Sequence, residues 1–243
     1  MSAPRVDTSV YQRVLGARFD DLDPALQRYF GPIPRGMAGV GEGVYEVAGS
    51  RRRWLRGPLA LLARRRILFP EYEQDVPLGV VNTSNADGTL SARRTFAFAG
   101  VERQMEDTMR VVGGTLVDRL GVGRELEVEL ALVVHDGGLT MTSRRLALRV
   151  LGLRVPLPHF ATVVVCERSD GLSQRVDVRI SVPVVGEVFR YAGTFSYRHV
   201  AIADLGATPP ATTDAATREG RGIRSSRDRG QRDAVSPTPR SAS

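Results

Sequence analysis

Lysine is missing altogether: apart from three histidines, every basic residue of this 243-residue chain is one of 34 arginines. Without lysine there is no Schiff base, no lysine general base and no P-loop lysine. Arginine stays protonated, so it can only donate hydrogen bonds or stabilise charge. Cysteine is nearly absent. Cys166 stands alone, which rules out an internal disulfide and a cysteine metal cluster and suits a reducing compartment. Long apolar runs are lacking too. No stretch exceeds Leu59–Ala63, far short of the roughly 20 residues a spanning helix needs. Met1–Val10 has no apolar core of the kind a signal peptide carries. These absences predict a cytoplasmic location.

Positive charge is in excess but unevenly spread. The net charge is +7, and the segment Ala207–Ser243 alone holds seven arginines against four acids. The remaining body is too weakly basic to read as a dedicated nucleic-acid domain, which would gather its charge on one face with aromatics interleaved. Hydrophobic residues make up 42% of the chain, enough to bury a core in one domain of this length.

Periodicity supplies the fold. Thr8–Phe19 carries Val10, Val14 and Leu15 at helical spacing, with Thr8 or Ser9 as cap. Asp23-Pro24 opens a second short helix through Phe30. From Met37 the period becomes two. Strands are expected at Val40–Val47, Val76–Asn82, Leu90–Phe98, Val101–Val111, Thr115–Leu120, Leu126–His135, Leu139–Val150, Phe160–Glu167, Gln174–Val182 and Val188–Val200. Asn85-Ala86-Asp87-Gly88, Ala99-Gly100, Gly113-Gly114, Asp136-Gly137-Gly138 and Asp170-Gly171 punctuate them as hairpin turns. Short turns force sequential antiparallel neighbours. The fold class is therefore mainly β (α+β): a ten-stranded antiparallel meander, strongly curved or closed into a barrel. Two short N-terminal helices (1–35) belong to the β-rich domain (36–205), which carries a basic-apolar helical insert at 50–70, broken at Gly57-Pro58. Residues 206–243 read as a disordered basic tail.

Particular blocks carry a family resemblance. They are Tyr11-Gln12-Arg13-Val14-Leu15-Gly16, Phe19 through Leu26, Gly39-Val40-Gly41, Arg94-Thr95-Phe96, Arg119-Leu120-Gly121, Gly152 through Pro158, Pro183-Val184-Val185-Gly186 and Tyr191-Ala192-Gly193. Over residues 10–199 the chain resembles the uncharacterised bacterial family of unknown function numbered 4166. Members look like stand-alone proteins or partners of dinucleotide-dependent reductase-like domains, so the resemblance implies a reductase-like partner and no catalytic residues. At Tyr29-Phe30 the chain departs from the family, where many members have a histidine.

Several residue patterns invite chemistry. The run Gly36, Gly39, Gly41, Gly43 lies inside a period-two strand, outside the strand–turn–helix context of a dinucleotide fingerprint. A bent strand packed closely by a helix is the better reading. His135, His159 and His199 lack ligand spacing, so no metal site is expected. No serine sits in a nucleophile elbow, and Cys166, alternating with Thr162 and Val164, reads as a core thiol. Neither a cofactor nor a catalytic residue is assigned.

The hairpin Leu90–Val111 is the exception. With Ala99-Gly100 as a two-residue turn, Arg94 falls opposite Met105 and diagonal to Arg103 and Asp107, on a face shared with Phe96. Charges on an apolar face are costly unless paired. They read either as a structural ion pair or as a polar anchor in an apolar cavity, where arginine would suit a carboxylate or phosphate headgroup. Phe189, Tyr191, Phe195 and Tyr197 share one face of the last strand and read either as core, the commoner case, or as lining of that cavity. Arg51–Phe69 holds seven arginines around a leucine-rich centre with no acid. Within it, Arg53, Trp54, Leu55, Leu61, Leu62 and Arg65 fit a lid over the barrel mouth or a peripheral membrane contact.

Three functions follow as expectations. The leading one is a non-catalytic or accessory module that binds an apolar or lipid-like molecule in the β cavity. The second is a cyclase- or isomerase-type enzyme with Asp107 or Glu106 as base. The third is an interaction domain docking on a membrane or a reductase partner.

Overall fold

Pairing of the first strand with the last gives this chain its architecture. In a computed structural model describing residues 8–158, 160–171 and 173–205, β1 (Met37–Gly49), β3 (Val76–Ser84), β4 (Leu90–Phe98), β5 (Val101–Val112), β6 (Thr115–Leu120), β7 (Leu126–His135), β8 (Gly138–Val150), β10 (Thr162–Asp170), β11 (Ser173–Val182) and β12 (Gly186–Ala201) pair antiparallel in sequence order. β12 then pairs with β1, from Met37↔Ala201 to Gly49↔Arg190, closing a ten-stranded barrel. Closure removes most of the strand edge that a flat sheet of this length would leave open.

Two short strands lie outside the expected ten. β2 (Tyr72–Glu73) pairs with the end of β1. β9 (Leu153–Leu157) pairs with the far half of β8, Leu146–Val150. Because β8 turns to β9 there, its seam with β10 is only four residues long, Leu139–Thr142 against Val164–Glu167. β10 accordingly starts at Thr162, two residues later than Phe160.

One mouth is closed by the N-terminal helices α1 (Val10–Leu15) and α2 (Pro24–Phe30). Ser9 accepts from the Gln12 backbone while Gln12 returns the bond, a capping box, and Asp23 caps α2 ahead of Pro24. Asp23 N–H donates to Gly137 O at 2.8 Å, fixing α2 to the β7–β8 turn. Leu26, Phe30, Phe19 and Val10 bury against Leu116, Leu139 and Met141 of the wall.

The other mouth is covered by the insert between β1 and β3. Its helix α3 (Arg56–Arg64) runs through Gly57-Pro58 without the expected break. Pro58 lies in the first turn, where its missing N–H costs no helical bond. Leu59 and Phe69 point into the barrel, and Phe69 meets Phe96, Phe98 and Phe189 with ring centres 4.6, 4.9 and 5.0 Å away. The returning chain is pinned beside β5: Glu106 N–H donates to Arg66 O and Val122 N–H to Arg65 O.

Gly39, Gly41 and Gly43 of the glycine run face the barrel interior, while Gly36 precedes β1 in open space. A β-carbon on Gly43 would lie 2.1 Å from Thr194 O, and one on Gly39 would meet the Tyr197 ring. β1 therefore bends under Phe195 and Tyr197, which the α2 residue Tyr29 touches edge-on. The close packing is as expected, but strand aromatics supply most of it. The expected tail and His159 lie outside the described residues.

Candidate functional site

Alternation puts every second side chain inside, so a polar residue at inner parity must be satisfied within the barrel. Arg103 shares that parity but turns away to Glu71, leaving three carboxyls and one guanidinium that point in: Arg94 on β4, Asp107 on β5, Asp118 on β6 and Glu167 on β10. They border one internal cavity of about 100 Å³, together with Tyr11, Tyr29, Tyr45, Tyr191 and aliphatic wall residues.

Arg94 and Asp107 form an ion pair, the one expected from the hairpin register, and Arg94↔Met105 is the pairing observed. Asp107 is almost wholly buried, whereas 18% of the Arg94 side chain stays accessible, on the cavity side. Oδ1 of Asp107 and Oδ1 of Asp118 are buried and have no hydrogen-bond partner among the described residues. Burial, reinforced by the Asp107 charge, holds Asp118 well above the usual carboxylate range. Glu167 is pushed up to about 7 by burial, against the pull of a Gln174 hydrogen bond and of Arg94. Burial likewise raises Tyr11, Tyr29 and Tyr45, and takes Tyr191 to about 12, so all four hydroxyls stay protonated. Tyr11 Oη lies 3.1 Å from Met109 Sδ and donates to it.

Arg94 is engaged by Asp107, and the cavity holds three carboxyls for one cation.

The expected residues divide. Arg94, Met105, Asp107, Tyr191 and Phe195 border the cavity. Phe96 is fully buried and stacks on Tyr45 at 4.9 Å, and Phe189 packs on Phe69; both are core. Arg103 turns away and clamps Glu71 with two bonds of 3.0 and 2.6 Å, tying the end of the insert to β5. Glu106, offered as a base, lies at outer parity beside Arg93 and is held by Arg66. Cys166 is half-buried on the outer face, opposite Thr140, and is not a core thiol; the inward residues of β10 are Val163, Val165 and Glu167. In the lid, Leu55 and Leu62 pack on the core, Arg53, Trp54 and Leu61 are exposed, and Arg65 pairs with Glu125 at 2.6 Å.

Asp118 and Glu167 were missed. The parity test that selects Asp107 would have found both, since Leu116, Asp118, Leu120 and Val163, Val165, Glu167 are each an apolar face with one acid. Tyr11 and Tyr29 carried no such signal, because their role depends on where α1 and α2 dock. His135 lies beside Asp136 on the surface and His199 is partly buried. Among the described residues, no three or more of His, Cys, Asp and Glu come together as a metal site.

A closed antiparallel barrel with a filled wall and a small polar-centred cavity belongs to the class of up-and-down barrels that enclose their site. The chain itself belongs to the domain of unknown function family DUF4166, whose model matches residues 22–195. It is 29% identical over 200 residues to the uncharacterized protein YndH of Bacillus subtilis (strain 168), a match covering 77% of this chain and 96% of that protein. No solved structure matches it.

Proposed function

We propose that the barrel binds a small amphipathic molecule whose polar end, an ammonium or hydroxyl, donates hydrogen bonds inside the cavity. The carrying observation is that Asp107 Oδ1 and Asp118 Oδ1, both buried beside the Arg94 pair, lack partners among the described residues. A buried acceptor left unmade costs about 1–3 kcal/mol, which a donating ligand would recover. About 100 Å³ accommodates a headgroup and a few carbons. A longer apolar part would leave past Leu68, Leu120, Val163 and Ile180, the half-buried lining residues on the lid side.

Native mass spectrometry of the purified chain, compared with its denatured mass, tests this reading. A bound organic adduct is expected, with short alkylamines and alcohols raising the melting temperature where matched carboxylic acids do not. A bare mass together with no shift from any of these probes would refute it.

A second reading is catalytic, and here the base moves from Asp107 or Glu106 to Glu167. A cavity carboxyl titrating at about 7 is suited to proton transfer. Consumption of a bound probe, lost in Glu167→Gln with binding retained, would favour it.

A further inference from the structure

The two ends of the barrel differ in what their turns expose. At the α1–α2 end the turns are Asn85-Ala86-Asp87-Gly88, Gly113-Gly114, Asp136-Gly137 and Asp170-Gly171, all polar or glycine. At the lid end, Leu151 at the β8–β9 tip is 98% exposed and Val184 at the β11–β12 tip is fully exposed, with Val122 of the β6–β7 turn at 59%. Leu151 and Val184 also hold φ of +50° and +68°. That region favours glycine or asparagine and is costly for a bulky or β-branched side chain. Aliphatic residues at these tips oppose both solubility and backbone preference, which points to a use at the surface.

The lid adds to the same end. Trp54 and Leu61 are 63% and 62% exposed, and Arg53, Arg56 and Arg64 around them form no ion pair with a described acid. Between the end of the lid and the β8–β9 tip runs a groove of about 630 Å³, lined by Arg65, Arg119, Arg124, Arg149 and Leu151, with Glu125 as its one acid. In the groove Arg65, Arg119 and Arg149 pair with Glu125 or Glu127, but Arg124, like Arg53, Arg56 and Arg64, forms no ion pair with a described acid, and aromatic and aliphatic tips beside such arginines match the layering of a bilayer surface, acyl boundary beneath anionic phosphates.

We infer that this end of the barrel docks on an anionic lipid bilayer. Trp54, Leu61, Leu151 and Val184 enter the acyl boundary, and Arg53, Arg56, Arg64 and Arg124 engage lipid phosphates. The inference stands independently of what the cavity holds.

Flotation of the full chain with vesicles tests it, using phosphatidylcholine alone against a phosphatidylcholine–phosphatidylglycerol mixture. The chain floats with the mixed vesicles, and added salt releases it. Trp54 is the single tryptophan, so its emission shifts blue in the same mixture. Each of Arg53→Gln, Arg56→Gln and Arg64→Gln lowers the partition coefficient about fivefold. Leu151→Gly with Val184→Gly lowers it about tenfold. Because glycine suits both positive-φ tips, that double variant keeps or raises the melting temperature, so its loss of flotation is not a folding defect. Equal flotation with neutral vesicles, no flotation with the mixture, or flotation undiminished in the tip and arginine variants would each overturn the inference.

Discussion

Gln174 Nε2 donates to Glu167 Oε2 at 2.6 Å between diagonal positions of adjacent strands, both side chains buried on the inner wall. Glu167 keeps its proton in the folded barrel up to about pH 7, while the unfolded chain releases it near the ordinary glutamate value of 4.5. The folded state thus binds more protons across that window, and stability falls as pH rises through it. The loss is about 3 kcal/mol, complete above the folded value. Glu167→Gln removes this slope. Urea midpoints at roughly pH 5 and pH 8 should show wild type weakening between them and the variant gaining relative to it at the higher pH. Parallel slopes in the two proteins would refute the assignment.

Arg94 holds Asp107 in place, so removing one partner strands the other. Arg94→Met leaves a buried carboxylate unpaired and should cost about 3–5 kcal/mol. Adding Asp107→Leu restores most of it. A double-mutant cycle read by chemical denaturation checks both, and additive losses would show that the pair contributes nothing as a pair.

Asp118 carries the opposite expectation. Its carboxyl is buried with an unmet oxygen, so Asp118→Leu should stabilise the empty barrel by about 1–3 kcal/mol. The same change should abolish the thermal shift from short amines and alcohols. A variant less stable than wild type would mean that Asp118 has a partner in the resting protein.

Gly43 of β1 and Gly57 of α3 respond differently to one methyl group. Gly43→Ala places a carbon against the Thr194 carbonyl and the Phe195 backbone and should cost about 3 kcal/mol or prevent folding. Gly57→Ala, in α3 with open space around it, should gain up to about 1 kcal/mol. Melting temperatures of the two variants decide it, and a tolerated Gly43→Ala would contradict the tight β1–β12 contact.

Alternation and turn chemistry made the wall legible. All ten expected strands form, and Phe98↔Val101 and Arg94↔Met105 pair as the two-residue turn requires. Closure was open at that level because β1–β12 pairing is non-local and leaves no local signal. β9 was hidden because Leu153–Leu157 is only five residues long and contains Pro156, which argues against a strand. The cavity was half legible: parity exposes Asp107, Asp118 and Glu167 alike, but whether Arg103 points in or out depends on Glu71, which the docking of the insert brings to it.

Met37 pairs with Ala201, so the wall that forms first in the chain waits for the last strand to be complete. During synthesis β1 leaves the ribosome with its glycines and one long edge uncovered, and the nascent sheet stays an open ribbon until β12 follows. Closing so large a loop pays its entropy before its contacts repay it, which makes the final pairing the slow event in folding. A chain stopped before residue 186 would lack β12 altogether, and its two open edges would be free to recruit strands from other molecules.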